Sequence, residues 1–316
     1  MNQTALMHFL SGAYPSIWLP DHFPVGKITR LSEPNRTDKS LYVYAHADGS
    51  GGGGDWRTGE TFYVAGSGPK LTRSEVQTRQ ALAQREAAAQ KAALQWRYDK
   101  AAARNEAILS QSSPVQEGDL AHRYLLSRGV GNGLRHLGDV LLFHPHLAYY
   151  ENRELVDYFP ALIAKVTNQA GDLIALHRTY LGREHGKAKV STPKMLTSGS
   201  SAVVGCGIRL HRPRPLGGLM TIAVAEGVET ALAVSRLHQV PTVATISATF
   251  LKKYAWDEGV KRILIYADND ASGVGSEAAA HLALRAHQAG LKTSIHMPEE
   301  TGTDWADVLA RKLGIE

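Results

Sequence analysis

The sequence predicts a mixed α/β protein in which a parallel sheet with flanking helices follows more strand-rich parts. From Met220 onward, apolar runs alternate with helical patterns, which is typical of a parallel sheet covered by helices. Upstream, short β-branched and aromatic runs predict strands. One long stretch of strong helix formers lies between two such strand-rich parts.

Composition limits the kind of protein this can be. The chain has 316 residues, 43% of them apolar, so we expect two or three domains with a sizeable core. No apolar run reaches the ~18 residues of a spanning helix and no signal peptide is evident, which predicts a soluble, cytoplasmic protein without a membrane partner. Cys206 is the only cysteine, which excludes a disulfide framework or a cysteine-based zinc ribbon within the chain. The formal charge of +5 fits a polyanionic partner but is also common among ordinary proteins.

Residues 1–73 are predicted to form a small β-rich module. Its strands are expected at Leu41–Tyr44 and Thr61–Val64. The glycine run Gly49–Gly54 between them is interpreted as a hairpin tip, with a loop that approaches a phosphate as the alternative. Trp56 and Tyr63 are expected to be core aromatics, the alternative being that they stack on unpaired bases.

Residues 74–112 are predicted to form a long helical linker. Between residues 74 and 107 the chain is rich in Ala, Gln, Arg, Lys and Glu and contains no Gly or Pro. Ser74 is the expected N-cap, with Gln77 as its capping-box partner. Such a helix would reach roughly 50 Å. Its mixed charges are interpreted as a solvated face, with a basic track for nucleic acid as the alternative.

Residues 113–217 are predicted to form a strand-rich subdomain with an exposed basic side. Asp119 is expected to cap a short helix that Gly129 ends. Two strands are expected around a turn at 168–171, at 161–166 and 173–178.

Residues 218–316 are predicted to form the catalytic domain, because ligands in open parallel sheets bind beyond the carboxyl ends of the strands. The predicted strands are 220–225, 242–246, 262–267 and 292–297. The predicted helices are 228–238, 249–257 and 276–289.

Acidic residues follow two of these strands. Glu226 comes directly after the first, and Asp268 and Asp270 come after the third, spaced so that both point the same way. Magnesium suits such a sparse carboxylate set, because it keeps waters and takes further ligands from substrate phosphates. Asp304 is the expected outer ligand, whereas Asp307 is expected to be a helix N-terminal carboxylate. The alternative is that these acids are caps and turn formers.

Glycines accompany the acids. Gly227 is expected to allow a tight turn after Glu226. Gly273 and Gly275 are expected to keep the surface beyond Asp270 open to a phosphate-bearing substrate.

These residues resemble a known domain. Glu226-Gly227 after one strand and Asp268-x-Asp270 after a later one are similar to the Toprim domain of primases, topoisomerases and some nucleases, over about residues 218–316. The run from Glu226 to Ala231 is similar to the EGYATA-type signature of plasmid and phage primases, with Val and Glu where Tyr and Ala often stand. No active-site tyrosine of a topoisomerase is evident.

Upstream segments extend the resemblance to about residues 115–316. His122–Gly129 resembles the helix that opens the catalytic core of bacterial DnaG-type primases. Three further segments resemble the basic subdomain that precedes Toprim in mobile-element primases: Phe159–Leu162, His177–Leu181 and Lys187–Lys194. The sequence has no cysteine-based zinc module and no Gly-x-x-x-x-Gly-Lys-Ser/Thr loop. Template capture and unwinding are therefore expected to come from other proteins.

The resemblance implies a DNA primase that makes short RNA primers on single-stranded DNA with Mg²⁺ or Mn²⁺. Its expected partners are the DNA template, nucleoside triphosphates, and a separate helicase or plasmid or phage replication protein. The implied catalytic residues and metal ligands are Glu226, Asp268 and Asp270, with Asp304 as a further ligand. The implied nucleotide- or DNA-binding residues are Arg178, Lys187, Lys189, Lys194, Gly227 and Gly273.

Three questions stay open at the level of sequence. Glu226 could act as a general base near the metal rather than as a ligand. A Toprim nuclease would use the same acids to direct water at a phosphodiester. A non-catalytic nucleic-acid-binding accessory protein of a replication system is the third interpretation.

Overall fold

The computed structural model describes residues 3–32, 39–56, 58–66, 73–184 and 186–315. The chain divides into two compact units, with the boundary between Lys91 and Ala92. This boundary lies inside a helix, whereas the expected division at residues 73, 112 and 217 stays a prediction. Among the described residues, none of the helices combines the length and apolar character needed to cross a bilayer.

The first unit contains one helix and one antiparallel sheet. The helix is α1 (Thr4–Ala13), and the strands, in spatial order, are β1 (Ile28–Leu31), β2 (Leu41–Ala45), β3 (Gly51–Asp55) and β4 (Thr61–Val64). Leu6 and Leu10 of α1 pack with Phe23 and Val43 in a buried core. Both strands expected in this module are confirmed.

The glycine run is only partly a hairpin tip: Gly49 and Ser50 lie in the turn between β2 and β3, whereas Gly51–Gly54 belong to β3, so the interpretation is wrong for these four glycines. Each residue from Gly51 to Gly54 pairs with β2 on one side and β4 on the other. An added Cβ at Gly53 would lie 2.1 Å from the carbonyl oxygen of Tyr42 and 2.8 Å from the ring of Phe62. Glycine is therefore needed because neighbouring backbone and rings occupy the side-chain space.

The expectation that Trp56 and Tyr63 are core aromatics is also wrong. Their side chains are 62% and 65% exposed, respectively. The core of this unit is filled instead by α1 and by the opposite face of the sheet.

The long helix is confirmed as α2 (Arg73–Leu109). Because it begins at Arg73, Ser74 lies inside the helix rather than at its N-cap, and that expectation is wrong. In the second unit, Ala101 and Ile108 are buried, and Asn105 donates to the carbonyl oxygen of Ile174 at 3.4 Å. The last turns of α2 are thereby packed against a strand-rich region.

That region is a five-stranded antiparallel sheet with a short helix. In spatial order its strands are β5 (Ser113–Pro114), β6 (Leu141–Glu151), β7 (Glu154–Thr167), β8 (Leu173–Tyr180) and β9 (Lys194–Leu196). The helix is α3 (Leu120–Ser127), capped by Asp119, whose carboxylate accepts from the backbone N–H of His122. Gly129 follows α3 with a φ of +72°, so both helix ends agree with expectation.

The last part is a mostly parallel sheet covered by helices, which confirms the predicted fold class. Its strands are β10 (Ile208–Arg209), β11 (Arg214–Leu216), β12 (Leu219–Ala225), β13 (Thr242–Ala244), β14 (Arg262–Tyr266) and β15 (Lys292–His296). Its helices are α4 (Val228–His238), α5 (Ala248–Lys253), α6 (Val274–Gln288) and α7 (Trp305–Leu313). The spatial order is β10-β13-β12-β14-β15, in which β12 to β15 run parallel.

One predicted helix is too long. The helix expected at 249–257 ends at Lys253, because Tyr254 turns to an extended backbone (ψ 132°) and buries its ring completely. The neighbouring Ala255 then donates its N–H to the carbonyl of Gly205, outside the helix.

Candidate active site at the carboxyl edge of the parallel sheet

Two adjacent parallel strands deliver acids to the same edge. Ala225, the last residue of β12, pairs with Tyr266, the last residue of β14. Glu226 follows Ala225 directly, and Asp268 follows Tyr266 by two residues. The two carboxylates therefore leave the sheet side by side, at the position where ligands bind in folds of this kind.

A hydrogen bond from the segment that follows β13 fixes the backbone at Glu226. Ile246 donates its N–H to the carbonyl oxygen of Glu226 at 2.7 Å, and Ile246 itself has a φ of +77°. A β-branched residue rarely adopts this left-handed conformation, so the local backbone is strained. Burial raises the pKa of Glu226, Asp270 raises it further, and Lys194 opposes both effects.

Asp268 is the most perturbed acid at this edge. Its Oδ1 is buried and has no hydrogen-bond partner among the described residues. Burial raises the pKa of Asp268 to about 7, with further contributions from Asp304, Glu226 and Asp270, in that order. The carboxylates are thus close enough to repel one another, and Asp268 lacks the partner that a buried carboxylate normally has.

Asp270 has a different environment. It accepts a hydrogen bond from the hydroxyl of Ser272 and another from the N–H of Gly275 at 3.1 Å, and these two bonds lower its pKa. Gly273 has a φ of +71°, which favours glycine. An added Cβ at Gly275 would lie 2.9 Å from the carbonyl oxygen of Asp268. Gly273 is thus favoured by its backbone conformation and Gly275 by the close approach of Asp268, while their role in leaving space for a phosphate-bearing substrate stays a prediction.

The expectation for Gly227 is wrong in its physical basis. This residue has φ −88° and ψ 159°, an extended backbone that any residue can adopt. An added Cβ would lie 3.2 Å from the hydroxyl oxygen of Thr230 and 3.7 Å from Oε2 of Glu229. The chain bends at Glu226 and Gly227 before α4 begins, but this bend does not require glycine at position 227.

Asp304 and Asp307 form the N-terminal capping box of α7. The N–H of Asp307 donates to Asp304 Oδ1 at 2.9 Å, and the N–H of Asp304 donates to Asp307 Oδ2 at 3.1 Å. Asp307 is therefore a helix N-terminal carboxylate, as expected. Asp304 uses one oxygen as a cap, yet it is the residue whose charge most raises the pKa of Asp268.

Two of the four predicted basic residues lie near these acids. Lys194 Nζ is 2.9 Å from Glu229 and also lowers the pKa of Glu226. Burial lowers the pKa of Lys187, and Lys194 lowers it further, whereas Glu229 and Asp304 raise it. Lys187 and Lys194 are thus close to each other and to the acidic edge.

The other two basic residues are placed differently. Arg178 lies within β8, in the strand expected at 173–178, and is only 6% exposed, so its role in binding nucleotide or DNA stays a prediction. It donates from Nη1 to the hydroxyl of Tyr180 at 3.0 Å, and burial lowers its pKa. Lys189 is exposed.

Glu229 and Arg128 are neighbours of the site that the sequence interpretation did not select. Glu229 is buried and accepts hydrogen bonds from the hydroxyl of Tyr124 and from Lys194. Burial alone would raise its pKa, but Lys194 and Tyr124 hold the pKa down at about 2. Arg128 Nη2 lies 3.5 Å from Asp307. Glu229 lies in the first turn of α4, three residues after Glu226, and this closeness in sequence to a predicted ligand is the signal that could have drawn attention to it.

The side chains that could serve as metal ligands show whether a divalent cation fits this edge. Within the described ranges, no group of three His, Cys, Asp or Glu side chains is arranged to hold a metal ion. Mg²⁺, however, is commonly bound through one or two carboxylates plus waters and substrate phosphates. The buried Oδ1 of Asp268, which accepts no hydrogen bond from any described residue and is surrounded by like charges, fits such a sparse site.

Comparison with known proteins identifies the domain that carries this edge. Residues 221–314 match the family model of the Toprim domain, and residues 99–210 match a domain of unknown function, DUF7146. The chain therefore contains a Toprim domain, and the sequence resemblance to that domain is confirmed. No curated protein matches the chain.

Solved primase structures show distant similarity. A DNA primase domain from Pseudomonas aeruginosa is 20% identical, with 53% of this chain and 52% of that chain covered and a TM-score of 0.35. The DnaG primase catalytic domain bound to ssDNA is 15% identical (71% and 78% covered, TM-score 0.44). The Aquifex aeolicus primase, with its zinc-binding and RNA polymerase domains, is 14% identical (98% and 80% covered, TM-score 0.42). The chain thus spans about half the length of the Pseudomonas domain that it matches.

Proposed function

We propose that this protein is a DNA primase, which synthesises short RNA primers on single-stranded DNA by metal-dependent nucleotidyl transfer in plasmid, phage or conjugative-element replication. The observation that carries the proposal is the convergence of Glu226, Asp268 and Asp304 at one edge of the Toprim sheet, with Lys187 and Lys194 beside them. An acidic cluster next to cations suits a substrate that brings both a metal and phosphates.

The residues have separate roles in this proposal. Asp268 and Glu226 hold a divalent cation, with Asp270 and Asp304 adding negative charge around it. Lys187 and Lys194 contact the phosphates of the incoming nucleotide. The cation, when bound, neutralises charge on the phosphates and lowers the pKa of the attacking 3′-hydroxyl. Lys189 and Arg178 stay candidate contacts for the template, although the burial of Arg178 favours a structural role.

Primer synthesis can be tested directly. The purified chain is incubated with single-stranded DNA, labelled nucleoside triphosphates and Mg²⁺ or Mn²⁺, and the products are separated by length. We expect short labelled RNA that depends on both DNA and metal, and its loss in Asp268→Ala. Glu258→Gln is the matched control, because Glu258 is an exposed acid in the same unit outside the site.

A parallel reaction with a labelled DNA strand tests the rival activity. Cleavage that requires Asp268, without primer synthesis, would assign the chain to the Toprim nucleases instead. Absence of both activities, with DNA binding intact, would favour the accessory-protein interpretation.

Metal binding has a readout that is independent of activity. If Mg²⁺ binds at Asp268 with a dissociation constant of about 1 mM, 10 mM Mg²⁺ should stabilise the protein by about 1.4 kcal/mol. We expect a rise in the melting temperature of the wild type that is absent in Asp268→Asn. An equal rise in both proteins would place the cation elsewhere.

A further inference from the structure

The sheet of the first unit has two different faces. Because side chains alternate along each strand and paired residues share a face, the pairing of β1 to β4 assigns every residue to one side. One face packs on α1. The opposite face carries Ile28, Arg30, Tyr42, Tyr44, Gly52, Gly54, Thr61 and Tyr63.

Glycine in β3 allows two tyrosines to lie across the strand on this face. An added Cβ at Gly52 would lie 2.5 Å from the hydroxyl oxygen of Tyr44. At Gly54 it would lie 2.9 Å from the hydroxyl oxygen of Tyr42. A side chain at either of these two positions would push a ring away, so glycine at 52 and 54 permits a flat aromatic surface that other residues would interrupt.

Two further rings extend this surface into solvent. Trp56 stacks on Tyr42, with ring centroids 4.4 Å apart and planes inclined by 30°. Tyr63 is the cross-strand partner of Gly52 and therefore lies on the same face. Trp56 and Tyr63 are both more than half exposed, although aromatic rings of this size are usually covered.

The charge of this face suits a polyanion. None of its eight paired positions is acidic, and the exposed Arg30 is the cross-strand partner of Tyr42. Asp55 pairs with Leu41 and belongs to the opposite face. Flat exposed rings beside a guanidinium are the combination that binds unpaired bases, since every base can stack and every linkage carries a phosphate.

We propose that this aromatic face binds single-stranded nucleic acid, with bases stacking on Trp56 and Tyr63 and the phosphate backbone near Arg30. This face belongs to the first unit, whereas the acidic edge belongs to the second. Binding at it requires neither metal nor nucleoside triphosphates, so its test is separate from that of primer synthesis.

The test uses the full chain and a fluorescein-labelled oligothymidylate of about 15 nucleotides in buffer with EDTA. Fluorescence anisotropy gives the dissociation constant at several salt concentrations. We expect Trp56→Ala and Tyr63→Ala each to weaken binding roughly tenfold, as for other base-stacking aromatics. Arg30→Ala should lower the slope of log affinity against log salt by about one.

Trp18→Ala is the matched control, because Trp18 is 82% exposed in the same unit but is not among the rings of this face. Its affinity for the oligonucleotide should equal that of the wild type. A duplex of the same length should be insensitive to Trp56→Ala, because its bases are already stacked. Circular dichroism melting confirms that each variant is folded.

Unchanged affinity in both ring variants, or the same loss in Trp18→Ala, overturns the proposal. If the face instead binds a peptide or a second copy of the chain, the affinity for the oligonucleotide will be unchanged in both ring variants. Tyr42 and Tyr44 are left intact in this experiment, because their rings also pack on β3.

Discussion

Two carboxylates in the second unit show how differently one fold can treat a buried charge. Glu229 is paired with Lys194 and Tyr124, and its pKa is held at about 2. Oδ1 of Asp268 has no hydrogen-bond partner in the described part of the chain, and burial raises the pKa of Asp268 to about 7. Glu229 is stabilised as an ion by its surroundings, whereas Asp268 is destabilised as an ion. The difference identifies Asp268 as the residue that needs something the protein does not itself supply.

The largest expected effect is on activity. In Asp268→Asn, primer synthesis should fall by about a thousandfold, because removing a carboxylate that holds the catalytic cation typically costs several kcal/mol of transition-state stabilisation. The measurement is the initial rate of labelled nucleotide incorporation at saturating template. Activity within tenfold of the wild type would mean that Asp268 does not hold the catalytic metal.

The same substitution should also change how stability depends on pH. The sign of this change is opposite to that expected for an acid whose pKa is lowered by a partner. The folded-state pKa of Asp268, about 7, lies above its usual value of 3.8, so the native state holds this proton more tightly than the unfolded state. The stability that this proton contributes is fully present below pH 3.8 and is lost as the pH rises through 7. Between pH 5 and pH 8 the wild type should lose about 3 kcal/mol relative to Asp268→Asn.

This comparison is made by urea unfolding in EDTA, with both proteins measured at each pH. Parallel stability curves for the two proteins would show that Asp268 is not destabilised as an ion. Glu229 gives no such signal in this range, because its pKa lies below it.

Removing Glu229, the paired acid, should lower the free energy of unfolding as well as the activity. Glu229→Ala leaves the buried hydroxyl of Tyr124 without its acceptor, while Lys194, with a side chain 36% exposed, can still reach water. We therefore expect a loss of about 2 kcal/mol in the free energy of unfolding. Glu277→Ala is the control, since its 2.7 Å pair with Lys252 is exposed and should contribute under about 1 kcal/mol. Equal losses in the two variants would remove the distinction.

The smallest expected effect concerns the two glycines that precede the helices after these acids. Gly227 and Gly273 are both N-caps, but only Gly273 has a positive φ. Gly273→Ala should therefore lower the free energy of unfolding by about 1 kcal/mol more than Gly227→Ala. Thermal unfolding of the two variants measures the difference, which should vanish if the left-handed backbone of Gly273 is absent in solution.

The position of the acids could be predicted from sequence because it depends on local pattern. A strand of apolar residues ending in an acid places that acid at the carboxyl edge, and Glu226 and Asp268 follow such strands. Helix α4 was predicted at its observed bounds for the same reason.

Features that depend on residues distant in sequence could not be predicted. The sequence did not indicate that Lys194, a predicted phosphate contact, also pairs with Glu229, 35 residues away. The strand that contains Arg178 was predicted, but its burial follows from the packing of β8 between β7 and β9. The glycine run has no side-chain pattern of its own, and only its pairing with β2 and β4 shows that Gly51–Gly54 form a strand.

A strand made almost entirely of glycine has hardly any side chains that could fix its register against the neighbouring strands. Sliding Gly51–Gly54 by two residues against β2 would place glycine opposite most of the same partners, so backbone hydrogen bonds alone hardly oppose such slippage. The rings of Tyr42 and Tyr44, lying over Gly54 and Gly52, are what distinguish the native alignment from its neighbours. Tyr42 and Tyr44 therefore fix the register of β3 in the sheet.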